Sequence, residues 1–271
     1  MMRALWTAGS GMKAQQFNVD VISNNLANVN TTGYKKERAE FKDLLYETMG
    51  RAYVLDNSGK PVNLQVGHGT AVNATVRSFE KGNIDRTDST LDFAIDGEGF
   101  FTILGPQGNI QYTRDGSFKL SVTEDGLRRL TTSDGYAVLD NAEQEITFDP
   151  EVDITNLIVS PRGEMSYKNA AGEIVPLDVT MGMVNFPNKY ALEAAGNNLF
   201  SRNAATGEPI QADDDETGSR GLITQGFLES SNVQVVDEMV KLIVAQRAYE
   251  VNSKAIQSSD DMLQIANNLR R

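Results

Sequence analysis

The chain contains no cysteine and one histidine, His68, among its 271 residues. Without cysteine there is no disulfide, thiolate zinc site, iron–sulfur cluster or Cys nucleophile. One histidine provides no pair of imidazoles for a metal and almost no material for a His general base. Positive charge is scarce too: 25 Lys and Arg stand against 37 Asp and Glu, a net charge of −12. Nucleic-acid binding draws its affinity from clustered cations, so a nucleic-acid partner is not expected. No stretch approaches the roughly 20 consecutive apolar residues of a membrane helix, so the protein is not expected to be integral to a membrane. The opening MMRALWTAGSG lacks the apolar core of a cleaved signal peptide. The expectation is a cytoplasmic protein, or one exported by a route that does not read such a signal.

What is present begins with two heptad stripes. Leu5, Met12, Val19 and Leu26 recur every seven residues, with Ala8, Gln15, Ile22 and Val29 at the complementary spacing. A strict seven-residue repeat keeps one seam towards a partner helix and predicts a coiled-coil-like stripe. Gly33, in Asn30-Thr31-Thr32-Gly33, can adopt the left-handed conformation that ends a helix. Near the other end, Val235, Leu242, Tyr249, Ile256 and Leu263 are spaced by sevens, with the small or polar Ala245, Asn252, Ser259 and Ala266 between them. Ser231 and Gln234 have the spacing of a capping box, and Asp237 and Glu238 suit the positive end of a helix dipole. One helix is expected from about Val233 to the C-terminus. Each seam is too narrow to make a broad core, so two readings stand: a two-helix hairpin packed on its own body, or ends that associate with other copies.

Between the ends the period changes to two. Val72, Ala74 and Val76 alternate with polar residues, and Asp96-Gly97, Asp115-Gly116, Asp125-Gly126 and Asp134-Gly135 suit positive-φ hairpin turns. Strand-like runs fall at 91–95, 100–104, 118–122, 136–139, 154–159, 175–179 and 181–186. The fold class expected is α+β: long terminal helices forming a coiled-coil-like domain (1–33 plus 229–271), an extended connector (34–66) with a short helical start at Phe41 to Met49, and a mainly antiparallel β body (67–228).

Motifs for chemistry are thin. Gly9-Ser10-Gly11-Met12-Lys13-Ala14 has the letters of a dinucleotide fingerprint but neither the preceding strand nor a βαβ unit. Asp213, Asp215 and Thr217 echo a calcium loop, yet Thr224 stands where the bidentate acid belongs. Lys35, Lys36 and Arg38, flanked by Glu37 and Glu40, read as a solvated face. No nucleophile elbow, phosphate loop or zinc-protease helix is present. Neither a catalytic residue nor a cofactor is expected.

The stretches SNNLANVNTTGYK (23–35), DFAIDGEGFF (92–101), YTRDGSF (112–118) and QGFLESSNVQVVDEMVKLIVAQRAYEVNSK (225–254) resemble, in order, the signatures of the bacterial flagellar rod and hook protein family. Length and the 41–69 segment are most similar to the distal rod branch, with the proximal rod and hook branches as alternatives. The resemblance implies a structural subunit that polymerises with copies of itself into a helical tube. It implies contacts with proximal rod proteins, hook protein and any surrounding ring proteins, and passage through the flagellar export apparatus with its chaperones, without a cleaved signal. It further implies that Asn24, Asn25 and Asn28 satisfy backbone groups near the helix end and that Asp115-Gly116 shapes a hairpin. The seam residues Leu5, Met12, Val19, Ile22, Leu26, Val235, Leu242, Tyr249, Ile256 and Leu263 are then the expected polymer interface. The rival is a β module binding a cell-wall or surface ligand, with Tyr112, Tyr136 and Tyr167 as its aromatic contacts.

Overall fold

A computed structural model describes residues 2–50, 63–123, 126–150, 152, 154–169, 172–211 and 221–268. They form two compact units, one from the described residues of 1–27, 37–77 and 234–271, the other from those of 28–36 and 78–233.

The first unit contains helix α1 (Met2–Ala27), strands β1 (Glu37–Asp43), β2 (Tyr46–Gly50), β3 (Leu64–Gly67) and β4 (Thr70–Arg77), and helix α2 (Val235–Asn268). At 1.5 Å per residue, the 34 residues of α2 extend about 51 Å. Asp237 and Glu238 lie in its first turn, where carboxylates favour the dipole. The capping box does not form: Ser231 Oγ accepts from Val233 N at 3.3 Å, and α2 begins later, at Val235. The segment 41–49 is not helix but the end of β1 and most of β2, joined through Leu44 and Leu45. Phe41 stands opposite Val72 in the antiparallel β1–β4 pair, and Tyr46 opposite Gly67 in β2–β3. Cross-strand pairing outweighs the helical preference of Lys42, Leu44 and Glu47. Of the expected connector 34–66, Tyr34 to Lys36 thus belong to the second unit and Glu37 to Gly50 to the first, while 51–62 lie outside the described residues.

The second unit is antiparallel β throughout its described pairs. Its strands are β5 (Ile84–Arg86), β6 (Phe93–Asp96), β7 (Phe100–Leu104), β8 (Ile110–Thr113), β9 (Lys119–Val122), β10 (Arg128–Thr131), β11 (Ala137–Val138) and β12 (Thr147–Phe148). After these come β13 (Leu157–Val159), β14 (Glu164–Lys168), β15 (Ile174–Thr180), β16 (Met183–Asn185) and β17 (Glu193–Gly196). The last are β18 (Leu199–Ser201), β19 (Ile210–Gln211), β20 (Leu222–Gln225) and β21 (Phe227–Glu229). The largest sheet runs β12-β10-β11-β7-β8-β18-β17, with β9, β16 and β19 attached. Strand β7 is its centre because both its faces are apolar. Phe101 and Ile103 enter one core with Phe93, Phe118 and Met165, while Phe100 enters a second with Phe79, Phe186 and Phe200. A strand covered on both sides reads as a continuous apolar run, and FFTIL is one.

Gly97 and Gly135 take the positive φ that Asp-Gly turns require, at 126° and 89°. Gly116 does not: its reason is space, since a Cβ there would lie 1.8 Å from the carbonyl oxygen of Phe93. Gly116→Ala is therefore expected to destabilise the second unit by about 3 kcal/mol, read as a lower urea midpoint; a midpoint within error of wild type would refute the packing argument.

Candidate assembly interface

Helices α1 and α2 run antiparallel. Asn252 lies beside Gly11 and Glu238 beside Asn25, so equal lengths of helix span the same contact. Small residues make the approach: Ala8, Ala14, Ala245 and Ser259 are buried, and a Cβ on Gly11 would sit 2.9 Å from Asn252 Nδ2. Of the ten seam residues, Ile22 is buried; Leu5, Met12, Val19, Leu26, Leu242, Ile256 and Leu263 are half-buried; Val235 and Tyr249 are exposed. A second apolar face, not read from the heptads, runs along α2. Val236, Val240, Ile243, Val244 and Val251 are exposed, Val244 at 62 % and Val251 at 65 %. On α1, Met2 and Trp6 are exposed as well.

Asn25 closes the helix pair with polar contacts. Its side chain accepts from Glu37 N at 2.9 Å and donates to Glu37 O at 2.8 Å and to Glu238 Oε2 at 3.2 Å. Glu238, itself buried, also holds Lys241 Nζ at 2.7 Å. Asn24 is exposed on α1. Asn28 belongs to the second unit, where its Oδ1 accepts from Thr31 Oγ1 at 3.1 Å. Gly33 takes φ 67°, six residues beyond the end of α1, and a Cβ on it would lie 2.7 Å from Asp115 N. It serves close packing rather than helix termination. Asp115 accepts from Thr32 Oγ1 at 3.0 Å and from Ser117 N at 3.1 Å.

The second unit also contains a buried ion cluster. Lys35, expected on a solvated face, is 1 % exposed. Its Nζ lies 2.7 Å from Glu229 Oε1 and donates to Glu80 O at 2.8 Å. Glu229 Oε1 also accepts from Gly82 N at 2.8 Å, and Glu229 Oε2 accepts from Arg114 Nη1 at 3.1 Å. Arg114 Nη2 donates to Gly97 O at 2.7 Å. Beside this, Asn232 accepts from Lys36 N at 2.7 Å, and its backbone N–H bonds Tyr34 O. Two cations share one carboxylate. Burial pushes the Lys35 ammonium below its usual value, and the Arg114 charge adds to that while Glu229 opposes it. Burial likewise lowers Arg114, against the pull of Glu229.

Because Lys35 is lowered in the fold, the unfolded chain retains its proton at pH values where the folded chain has released it. Unfolding free energy therefore rises with pH between the lowered value and the ordinary 10.5. Tyr112, raised mainly by burial, acts oppositely above pH 10. Urea denaturation of wild type and Lys35→Met from pH 7 to 10 separates the two: the difference should grow in favour of wild type as pH rises. A pH-independent difference would contradict the shift.

Other sequence motifs fall away on structural grounds. Residues 9–14 lie within α1, so the fingerprint has no strand before it. Asp213, Asp215 and Thr217 lie outside the described residues, and Thr224 is in β20. Among the described residues no group of three or more His, Cys, Asp or Glu could hold a metal. His68 is half-exposed, 4.0 Å from Glu47. Among the described residues no helix is long and apolar enough to cross a membrane.

Three segments match known families, each carrying one member of the ion cluster. Residues 5–35, with Lys35, match the family described as flagella basal body rod protein. Residues 94–167, with Arg114, match the flagellar hook protein FlgE/F/G D1 domain. Residues 224–269, with Glu229, match the flagellar basal body rod FlgEFG protein C-terminal family. The flagellar basal-body rod protein FlgG of Borreliella burgdorferi is 50 % identical, covering 100 % of both chains. That of Caulobacter vibrioides is 44 % identical over 99 % of this chain and 100 % of its own, and that of Bacillus subtilis 37 % over the whole of both. This chain belongs to the flagellar basal-body rod family. Such rod proteins are structural and not enzymes, which accords with a sequence that lacks the usual catalytic motifs.

Proposed function

We propose that the chain is a distal rod subunit that polymerises with its own copies into a helical tube, the shaft that carries motor torque to the hook. The observation carrying this reading is the row of large apolar side chains left in water along α2 while small residues fill the α1–α2 contact. Exposed apolar rows of this kind mark interaction surfaces. Contacts between unlike faces of successive copies do not close into a ring and generate a helix of subunits. The ten seam residues and the second α2 face together form the polymer interface, with the helix pair acting as a coiled-coil-like strip.

Proximal rod proteins and hook protein adjoin the two ends of the shaft, and ring proteins surround it where the envelope has them. Subunits reach it through the flagellar export apparatus with its chaperones. The rival ligand-binding β module has little support, because Tyr112 is buried and Tyr136 packs against the core instead of lining an open groove. Electron microscopy of the concentrated full chain tests the proposal: tubes of regular diameter are expected, and a uniformly monomeric solution at millimolar concentration would overturn it.

A further inference from the structure

The chain contains a single tryptophan, Trp6, and α1 holds it in water at 74 % exposure. Tryptophan carries a large apolar area and is over-represented among the residues that anchor interfaces. At 3.6 residues per turn, Met2, Trp6, Gly9 and Lys13 fall on one face of α1, and Met2 and Lys13 are exposed with Trp6. Gly9 costs the helix about 1 kcal/mol relative to alanine. No contact within the chain requires it, since a Cβ there would meet nothing within 4 Å. A glycine with open space before it, one turn after an exposed tryptophan, suits the close passage of a second helix.

The same periodicity places Asp237, Val240, Val244 and Val251 on one face of α2, all of them exposed. Trp6 does not reach that row in its own chain. Gly11 lies beside Asn252 and Asn25 beside Glu238, so Trp6 is level with Gln257, about 20 Å along α2 from Val244. Between copies the two faces match. Trp6 and Lys13 are seven residues apart, as are Val244 and Asp237. Two copies pointing the same way set α1 of one antiparallel to α2 of the other, so Trp6 on Val244 brings Lys13 to Asp237. These charges are opposite, and neither makes an ion pair among the described residues. In that register Gly9 faces Val240, and Met2 falls within a turn of Val251.

We propose that Trp6 of one copy docks on the Val240 and Val244 face of a second copy shifted by about 20 Å along the helix pair, with Lys13 paired to Asp237. This rests on the polymer reading above and gives it a register. Anchor and row are unlike surfaces at different heights on one subunit. Each contact therefore leaves a free row on one copy and a free anchor on the other, and the stack stays open-ended.

Trp6 reports the contact directly: its emission should shift to the blue as the full chain is concentrated into tubes. Trp6→Ala should raise the concentration at which tubes sediment about 30-fold, with the circular dichroism of the dilute chain unchanged. Gly9→Ala should move two readouts in opposite directions, raising the urea midpoint of the dilute chain while raising the assembly concentration about tenfold. Lys13→Glu should raise that concentration about tenfold, and adding Asp237→Lys should bring it back to about the wild-type value. Circular dichroism of the dilute double variant separates loss of the contact from loss of helix. Three results would overturn this docking while leaving the tube intact: tubes whose Trp6 emission stays that of exposed indole, tubes from Gly9→Ala at the wild-type concentration, or a charge swap with native circular dichroism that rescues nothing. A wild-type chain that never associates would overturn both the docking and the tube.

Discussion

Glu229→Gln is expected to destabilise the second unit by about 3–5 kcal/mol, the range for breaking a buried ion pair by removing one partner. Both carboxylate oxygens are in use: Oε1 accepts from Lys35 and Gly82, Oε2 from Arg114. Glutamine has one acceptor oxygen and one amide nitrogen that only donates. Whichever way the amide is turned, a donor faces either Arg114 or the Lys35–Gly82 pair, and two buried cations remain with no counter-charge. Lys35→Met should cost less, because Glu229 then retains Arg114 and Gly82. The double variant should cost less than the sum of the singles by about 1–3 kcal/mol, since the second change removes one of the charges stranded by the first. Urea midpoints of the four proteins decide this. A Glu229→Gln loss below about 1 kcal/mol would mean that the cluster behaves like a surface pair despite its burial.

The cluster also shows which parts of the molecule local sequence patterns can carry. Strand β7 is legible to the residue because FFTIL has the continuous apolarity of a strand with two covered faces. Helix α2 is legible to within two residues at its start, since thirty residues of periodic signal outweigh uncertainty at the ends. The segment 41–49 misleads, as its strand state depends on partners more than fifteen residues away, and propensity is weaker than pairing. Lys35, Arg114 and Glu229 are separated by 79 and 115 residues, so no window of sequence contains two of them. A lysine beside Lys36 and Arg38 looks solvated until the fold places a carboxylate against it. One signal did exist: each of the three residues lies within a stretch that resembles the rod and hook family. The second α2 face was hidden for a different reason, because Val236, Val240, Val244 and Val251 share the helix with the stronger heptad of Leu242, Tyr249 and Ile256.

That second face supplies the sharpest test of the assembly proposal, in the double variant Val244→Asp with Val251→Asp. Both side chains are exposed in the single chain, so their replacement removes little buried apolar area and should change the unfolding midpoint by less than about 0.5 kcal/mol per site. In a polymer that covers this face, each carboxylate would be taken out of water without a partner, at several kcal/mol per ion. Tube formation should therefore be lost outright while the circular dichroism and urea curve of the dilute chain stay as in wild type. Leu242→Asp and Ile256→Asp behave differently, since both residues are already half-buried in the first unit; they should impair the helix pair itself as well as assembly. The contrast between the two pairs locates the interface. If Val244→Asp with Val251→Asp still forms regular tubes, the exposed face of α2 is not where copies meet, and the interface lies on the seam residues alone.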